Sequence, residues 1–185
     1  MYSNSINVNQ HCNCQGHMGM EQGHMGMEQG HMGMEQGQMG MGHGTSMSDT
    51  LLINDISKAI IGEVHAYNFY QKLAELATNE RDRQVILRIQ QDEAKHYHWF
   101  TMILRRMGAQ QPQIPAGELP RSFEEGVRTA IQDELEAASF YQDIAQRATD
   151  HHIQMHFMHA SHDEQRHATW FMYMLMNLQN KSSYI

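Results

Sequence analysis

Cysteine is almost absent from this 185-residue chain, occurring only at Cys12 and Cys14. One intervening residue is a strained spacing for a disulfide, so no covalent staple of the fold is expected. No Cys-x-x-Cys motif is present, which excludes an iron–sulfur or rubredoxin-type module, and a cysteine-free core fits a reducing compartment. Proline is nearly as scarce: Pro112, Pro115 and Pro120 are the only three, leaving the flanking segments free of helix breakers. Lys and Arg number 13 against 21 Asp and Glu, a formal net charge of −8 that argues against nucleic acid or an anionic membrane as partner. No stretch approaches the ~18 consecutive apolar residues of a membrane span. The first residues, Met-Tyr-Ser-Asn-Ser-Ile-Asn, lack the basic start and apolar run of a secretory signal, so a cytoplasmic setting is expected.

Residues 1–47 differ in kind from the rest of the chain. Positions 17–37 cycle through a seven-residue repeat, Gly-His-Met-Gly-Met-Glu-Gln, with histidines at His17, His24 and His31. Two glycines per repeat cost a helix ~1 kcal/mol each, so this reads as a disordered, low-complexity tail. Its thioethers and imidazoles, with His11 beside Cys12 and Cys14, form a soft ligand set suited to Cu(I). The methionines would equally serve as oxidant scavengers through reversible sulfoxide formation, or the repeat is a solvated product of slippage. From Ser48 the pattern becomes amphipathic, and 48–179 is expected to be one all-α domain, followed by a short end at 180–185. Helices are expected near 49–78, 80–107, 122–149 and 151–179. Asn79 and Asp150 are turn and capping residues, Gly108 is a C-terminal stop, and Ser122 with Glu125 forms a capping box. Between the second and third helices, Ala109–Arg121 could reach ~45 Å when extended, against ~42 Å for a 28-residue helix. Such a linker can run the full length of a bundle, the long crossover of a ferritin-like four-helix bundle.

The two helical hairpins are copies of one another. An offset of 71 residues aligns Glu63 with Glu134, Tyr70 with Tyr141, Asp92 with Asp163, Glu93 with Glu164 and His96 with His167. Ala59–Thr78 matches Ala130–Thr149 at about half its positions. Each copy therefore brings one Glu and one Glu-x-x-His, the ligand set of a dinuclear carboxylate centre. Residues three apart on a helix point to nearly the same side, so Glu93 and His96 can grip one ion together, as can Glu164 and His167. The same stripes carry Ile56, Ile60 and Leu73 on the first helix, and Ile89, Phe100 and Ile103 on the second. Val127, Ile131 and Ile144 mark the third, and Ala160, Phe171 and Met174 the fourth. Four buried carboxylates without partners would be costly, and two divalent cations would neutralise them. Hard oxygen donors with one imidazole per metal suit Fe or Mn, with Zn as a rival occupant. Asp92 and Asp163 are placed to hold the second nitrogen of the other hairpin's histidine. Tyr70 and Tyr141 lie two turns beyond Glu63 and Glu134, as candidate catalytic groups donating to the opposing Glu or as ordinary core residues. Trp99 and Trp170 are expected to pack rather than relay electrons. His151, His152, His156, His159 and His162 are expected to face solvent, with His152 and His156 a weak site for a further ion.

These residues resemble the ferritin-like superfamily, closest to the rubrerythrin and bacterioferritin di-iron domains, over about 49–179. The motif is Glu63, Asp92-Glu93-Ala-Lys-His96, Glu134 and Asp163-Glu164-Gln-Arg-His167. The resemblance implies a bundle holding two irons that react with O2 or H2O2. It further implies Glu63 and Glu134 terminal to one metal each, Glu93 and Glu164 bridging, and His96 and His167 each capping one iron. The chain departs from the pattern in three places. It lacks a rubredoxin domain, so peroxidase activity would need an external electron donor. Ala137 stands where rubrerythrins carry an extra Glu, and Glu136 points elsewhere. Ala94 replaces the haem-binding Met of bacterioferritin, so no haem is expected. The six-ligand set is also similar to that of manganese catalases. The leading expectation is thus a di-iron or di-manganese oxidoreductase, forming a homodimer. The alternatives are a ferroxidase feeding a mineral store inside a cage, and a metal-sequestering protein acting through its tail.

Overall fold

The computed structural model describes residues 47–182, and the expectations for the Met/His-rich tail, copper included, lie outside them. Four helices and no strand occur among the described residues: α1 (Met47–Leu76), α2 (Glu80–Arg106), α3 (Phe123–Arg147) and α4 (His151–Ser182). The protein is all-α, as the periodicity predicts.

Local chemistry sets the ends. Asn79 adopts extended backbone (φ −148, ψ 154) and its side chain accepts from the Asp82 amide, which stops α1 and starts α2. Leu76 rather than Thr78 ends α1, because Ala77 and Thr78 are consumed in that tight turn. Gly108, at φ 74, takes the left-handed conformation that ends α2 and that a side chain would oppose. Ser122 accepts from the Glu125 amide to open α3, and Asp150 accepts from the amides of His152 and Ile153 to open α4.

The helices pair as α1 with α2 and α3 with α4, and the two hairpins meet along α1–α3 and α2–α4. Tyr70 reaches Glu134 while Tyr141 reaches Glu63, so α1 and α3 run in opposite directions. The crossover at 107–122 must therefore travel the length of the bundle, and it does so over α1. His65 Nε2 lies 3.0 Å from the Pro115 carbonyl, and Gly117 sits so close that an added Cβ would come within 3.0 Å of the His65 ring. Farther along, Pro120 is buried against Gly126.

Two apolar clusters fill the interior. One gathers Ile56, Ile60, Phe100, Leu104, Ile144 and Phe157; the other Leu73, Ile86, Ile89, Val127, Phe171 and Met174. Along every helix a polar layer separates them.

Candidate metal centre

That layer consists of Glu63 on α1, Glu93 and His96 on α2, Glu134 on α3, and Glu164 and His167 on α4. Each is at most 3% exposed. Potential ligand atoms of Glu63, Glu93, His96 and Glu164 all lie within 4.8 Å of one another, and so do those of Glu93, Glu134, Glu164 and His167. Glu93 and Glu164 belong to both groups. The pseudo-symmetry of the sequence thus becomes two adjoining half-sites sharing two carboxylates.

The hydrogen bonding of this layer is incomplete. Glu93 Oε1, His96 Nδ1 and Glu164 Oε1 are buried without a hydrogen-bond partner. His96 Nδ1 and Glu164 Oε1 stand only 3.1 Å apart, yet they are not aligned as a hydrogen bond; both face the same space. His167 Nδ1 lies 2.9 Å from Glu164 Oε2 and 3.2 Å from Glu93 Oε1. Unsatisfied buried polar atoms cost ~1–3 kcal/mol each, more when charged, so an arrangement like this calls for cations. A pair of hard divalent ions, each with one imidazole and surrounding carboxylates, fits the donor set.

Without a metal, protons take that place. Burial drives the carboxyls of Glu63 and Glu134 well above the usual range, and at Glu134 the charges of Glu164 and Glu93 add to the effect. Burial disfavours charge on His96 and His167, but the surrounding carboxylates outweigh it and raise both. Glu164 moves the other way, to about 2: bonds from His167 and His96 overcome its burial.

The histidines are fixed from behind. His96 Nε2 meets Asp163 Oδ2 at 3.2 Å, and His167 Nε2 meets Asp92 Oδ2 at 3.2 Å. Both aspartates are only partly buried, and their imidazole and Lys95 contacts hold them ionised far below the ordinary range. An ionised carboxylate only accepts, so Nε2 carries the proton and Nδ1 is left to face the centre. Lys95 bridges Asp92 (2.6 Å) and Asp163 (3.1 Å), and Arg166 bridges Asp163 (2.6 Å) and Asp92 (3.0 Å). Spacing alone did not single out this cationic pair, although the offset of 71 aligns Lys95 with Arg166.

Tyr70 Oη donates to Glu134 Oε1 at 2.6 Å, and Tyr141 Oη to Glu63 Oε1 at 2.5 Å. Burial, followed by the nearby glutamates, raises both phenols well above their ordinary range, so each keeps its proton. Packing orients the rings: Tyr70 lies against Phe171 and Tyr141 meets Phe100 edge-on, each 5.2 Å between centroids.

A cavity of about 420 Å³ opens between α1 and α3, with Glu63, Glu93, Glu134, Glu164 and both tyrosines at its inner end. Ala137, at the position where rubrerythrins carry an extra Glu, lines it, whereas Glu136 is exposed and accepts from Gln132.

Other histidines and the tryptophans diverge from one another. His151, His152, His159 and His162 are exposed, while His156 is half-buried against Trp99. At the expected weak ion site the His152 and His156 rings stack 4.1 Å apart between centroids, with one nitrogen of each already engaged. Arg106 donates to His152 Nε2 at 3.3 Å, and His156 Nδ1 donates to the His152 carbonyl at 2.8 Å. Trp99 packs 5.6 Å from His96 between ring centroids, and Trp170, 36% exposed, stands T-shaped to Tyr173. Trp99 is thus the more covered of the two tryptophans.

An antiparallel bundle with a full-length crossover and a buried carboxylate–histidine layer defines a ferritin-like protein. The rubrerythrin family profile matches residues 54–124, from within α1 through α2 and the crossover to the start of α3. The protein YhjR of Bacillus subtilis (strain 168), described as uncharacterized, is 36% identical over 129 residues, covering 69% of this chain and 89% of that relative. A hypothetical protein from Pyrococcus furiosus shares the fold with a TM-score of 0.63 at 21% identity, over 72% of this chain and 94% of that one. The chain belongs to the rubrerythrin family. Family and buried cluster together suggest di-iron binding.

Proposed function

We propose that the protein is a di-iron, or di-manganese, oxidoreductase that reacts with O2 or H2O2. The observation that carries this reading is the buried layer of four carboxylates and two imidazoles, with three of its atoms lacking partners. Glu63 and His96 would hold one ion, Glu134 and His167 the other, and Glu93 and Glu164, common to both groups, would bridge. When bound, the metal pair supplies electrons and Lewis acidity to the oxygen substrate. The chain supplies the rest. Asp92 and Asp163 keep Nδ1 of each imidazole turned inward. Tyr70 and Tyr141 donate to Glu134 Oε1 and Glu63 Oε1, and their rings are held in place by Phe171 and Phe100. Sustained peroxide turnover would draw on an external electron donor, since this sequence carries no rubredoxin cysteines.

Protein purified without chelator should contain about two Fe or Mn per chain, the stoichiometry of a dinuclear site. Glu63→Ala and Glu164→Ala should lose metal while keeping their helical circular dichroism. Rapid mixing of the Fe(II)-loaded protein with O2 and separately with H2O2 then identifies the oxidant, a much faster peroxide reaction marking a detoxifying role. Metal content near zero, or metal retained in both variants, overturns the proposal.

A further inference from the structure

The cavity between α1 and α3 is built as more than a gap. It passes from exposed residues to the buried layer, and its volume of about 420 Å³ far exceeds the ~10–15 Å³ that admits one water. Its walls are small where the helices face each other, with Gly62 and Ala66 on α1 and Thr129 and Ala137 on α3. Three exposed carboxylates line its outer part: Glu118 from the crossover, and Glu125 and Asp133 from α3. No Lys or Arg lines it, and its single imidazole, His65, is turned to the Pro115 carbonyl. At the inner end Glu93 and Glu164 each present a buried oxygen without a hydrogen-bond partner. A passage wide enough for water, lined by one sign of charge and ending on unsatisfied acceptors, selects for a cation that can shed water stepwise. It repels anions and is indifferent to neutral oxygen species.

We infer that this passage is the loading route for the divalent metal, with Glu118, Glu125 and Asp133 guiding the hydrated ion to Glu93 and Glu164. The inference rests on the metal-site reading above. The crossover has a part in it beyond connecting the hairpins, because it contributes Glu118 and roofs the passage with Leu119 and Pro120. Its course is held by the contact of His65 with Pro115 and the close approach of Gly117. None of the three guiding carboxylates belongs to the buried layer, so their loss should alter the rate of filling and leave the filled site as it was.

The test is stopped-flow uptake of Co(II) by the metal-free full chain, followed by visible absorption. A Glu93→Ala/Glu164→Ala variant defines the signal arising outside the buried layer. Glu118→Gln/Glu125→Gln/Asp133→Asn should load about tenfold more slowly at low ionic strength, the size of an electrostatic focusing effect. The difference should shrink towards ~1 M salt, where screening acts within ~3 Å. The final stoichiometry should match wild type, and so should the O2 reaction of the Fe(II)-preloaded variant. A control with the same charge change at Glu75, Glu80 and Asp143, none of which lines the cavity, should load at the wild-type rate. Equal rates in the triple variant and wild type, or equal slowing in the control, overturn the route while leaving the metal site standing. Absence of any uptake by the wild-type layer overturns the metal-site reading and the route with it.

Discussion

Each histidine of the buried layer depends on an aspartate from the opposite hairpin, and the dependence is specific. Asp163 backs His96, which belongs with Glu63; Asp92 backs His167, which belongs with Glu134. Outer partners of this kind typically account for 10–100-fold in metal affinity. Asp163→Asn keeps the shape but removes the charge that holds the Nε2 proton and anchors Lys95 and Arg166. It should weaken the ion beside His96 by roughly 10–100-fold and the other much less, while Asp92→Asn should do the reverse. Competition titration against a chromophoric chelator reads the two steps separately. Unchanged affinity in both variants would show that the aspartates only complete a surface ion-pair ring.

Among the secondary-structure elements, the crossover is the one whose path depends most on close contact. It packs down where Gly126, in the first turns of α3, faces Leu73 of α1 and Pro120. An added Cβ at that glycine would lie 2.6 Å from Leu73 Cδ1 and 2.8 Å from Pro120 Cβ. A side chain there must push Pro120 of the crossover aside and turn the buried Leu73 side chain. Gly126→Val, which brings a branched side chain and little gain in helix propensity, should destabilise the fold by about 2 kcal/mol or more. Thermal unfolding of the metal-free protein checks this, and an unchanged Tm would mean that the crossover yields freely. The helix caps matter less individually, at ~1 kcal/mol for a residue such as Asn79.

On the scale of the whole molecule, the polar layer makes stability a function of pH and metal together. Glu63 and Glu134 have their carboxyl pKa raised by burial. A group raised in this way contributes stability that is complete below its unfolded value, roughly 4.3 for Glu, and is lost as pH climbs through the folded value. The raised histidines act in the same direction from roughly 6.5 upwards. Asp92 and Asp163 act oppositely, but their depressed values confine the loss to strong acid. Chelator-treated protein should therefore show a Tm that falls steadily from roughly pH 5 to pH 9. The metal-loaded protein should be more stable throughout and nearly level over that range, since cations stand where the protons stood. Scanning calorimetry of both forms is decisive. A metal-free Tm that is flat or rising with pH would mean the layer does not hold those protons.

Much of this architecture was legible in the chain before folding. Its 71-residue duplication, the apolar stripes through Glu63, Glu93, Glu134 and Glu164, and the Asn79, Gly108, Ser122 and Asp150 signals are local properties. Helical periodicity and capping act within a few residues, so a linear reading recovers them. The length of the crossover implied two hairpins joined end to end, because an extended chain of that reach has no need to fold back. What spacing could not supply was contact between segments distant in sequence. Only packing set Arg106 against His152, left Trp170 at the surface while Trp99 was covered, and closed Lys95 and Arg166 into a ring with two aspartates. Only packing, too, brought Glu118 from the crossover alongside Glu125 and Asp133 over the passage between α1 and α3. Local propensity and periodicity determine which face of each helix is buried; which residues then meet across the bundle depends on how the four helices and their connection settle against one another in space.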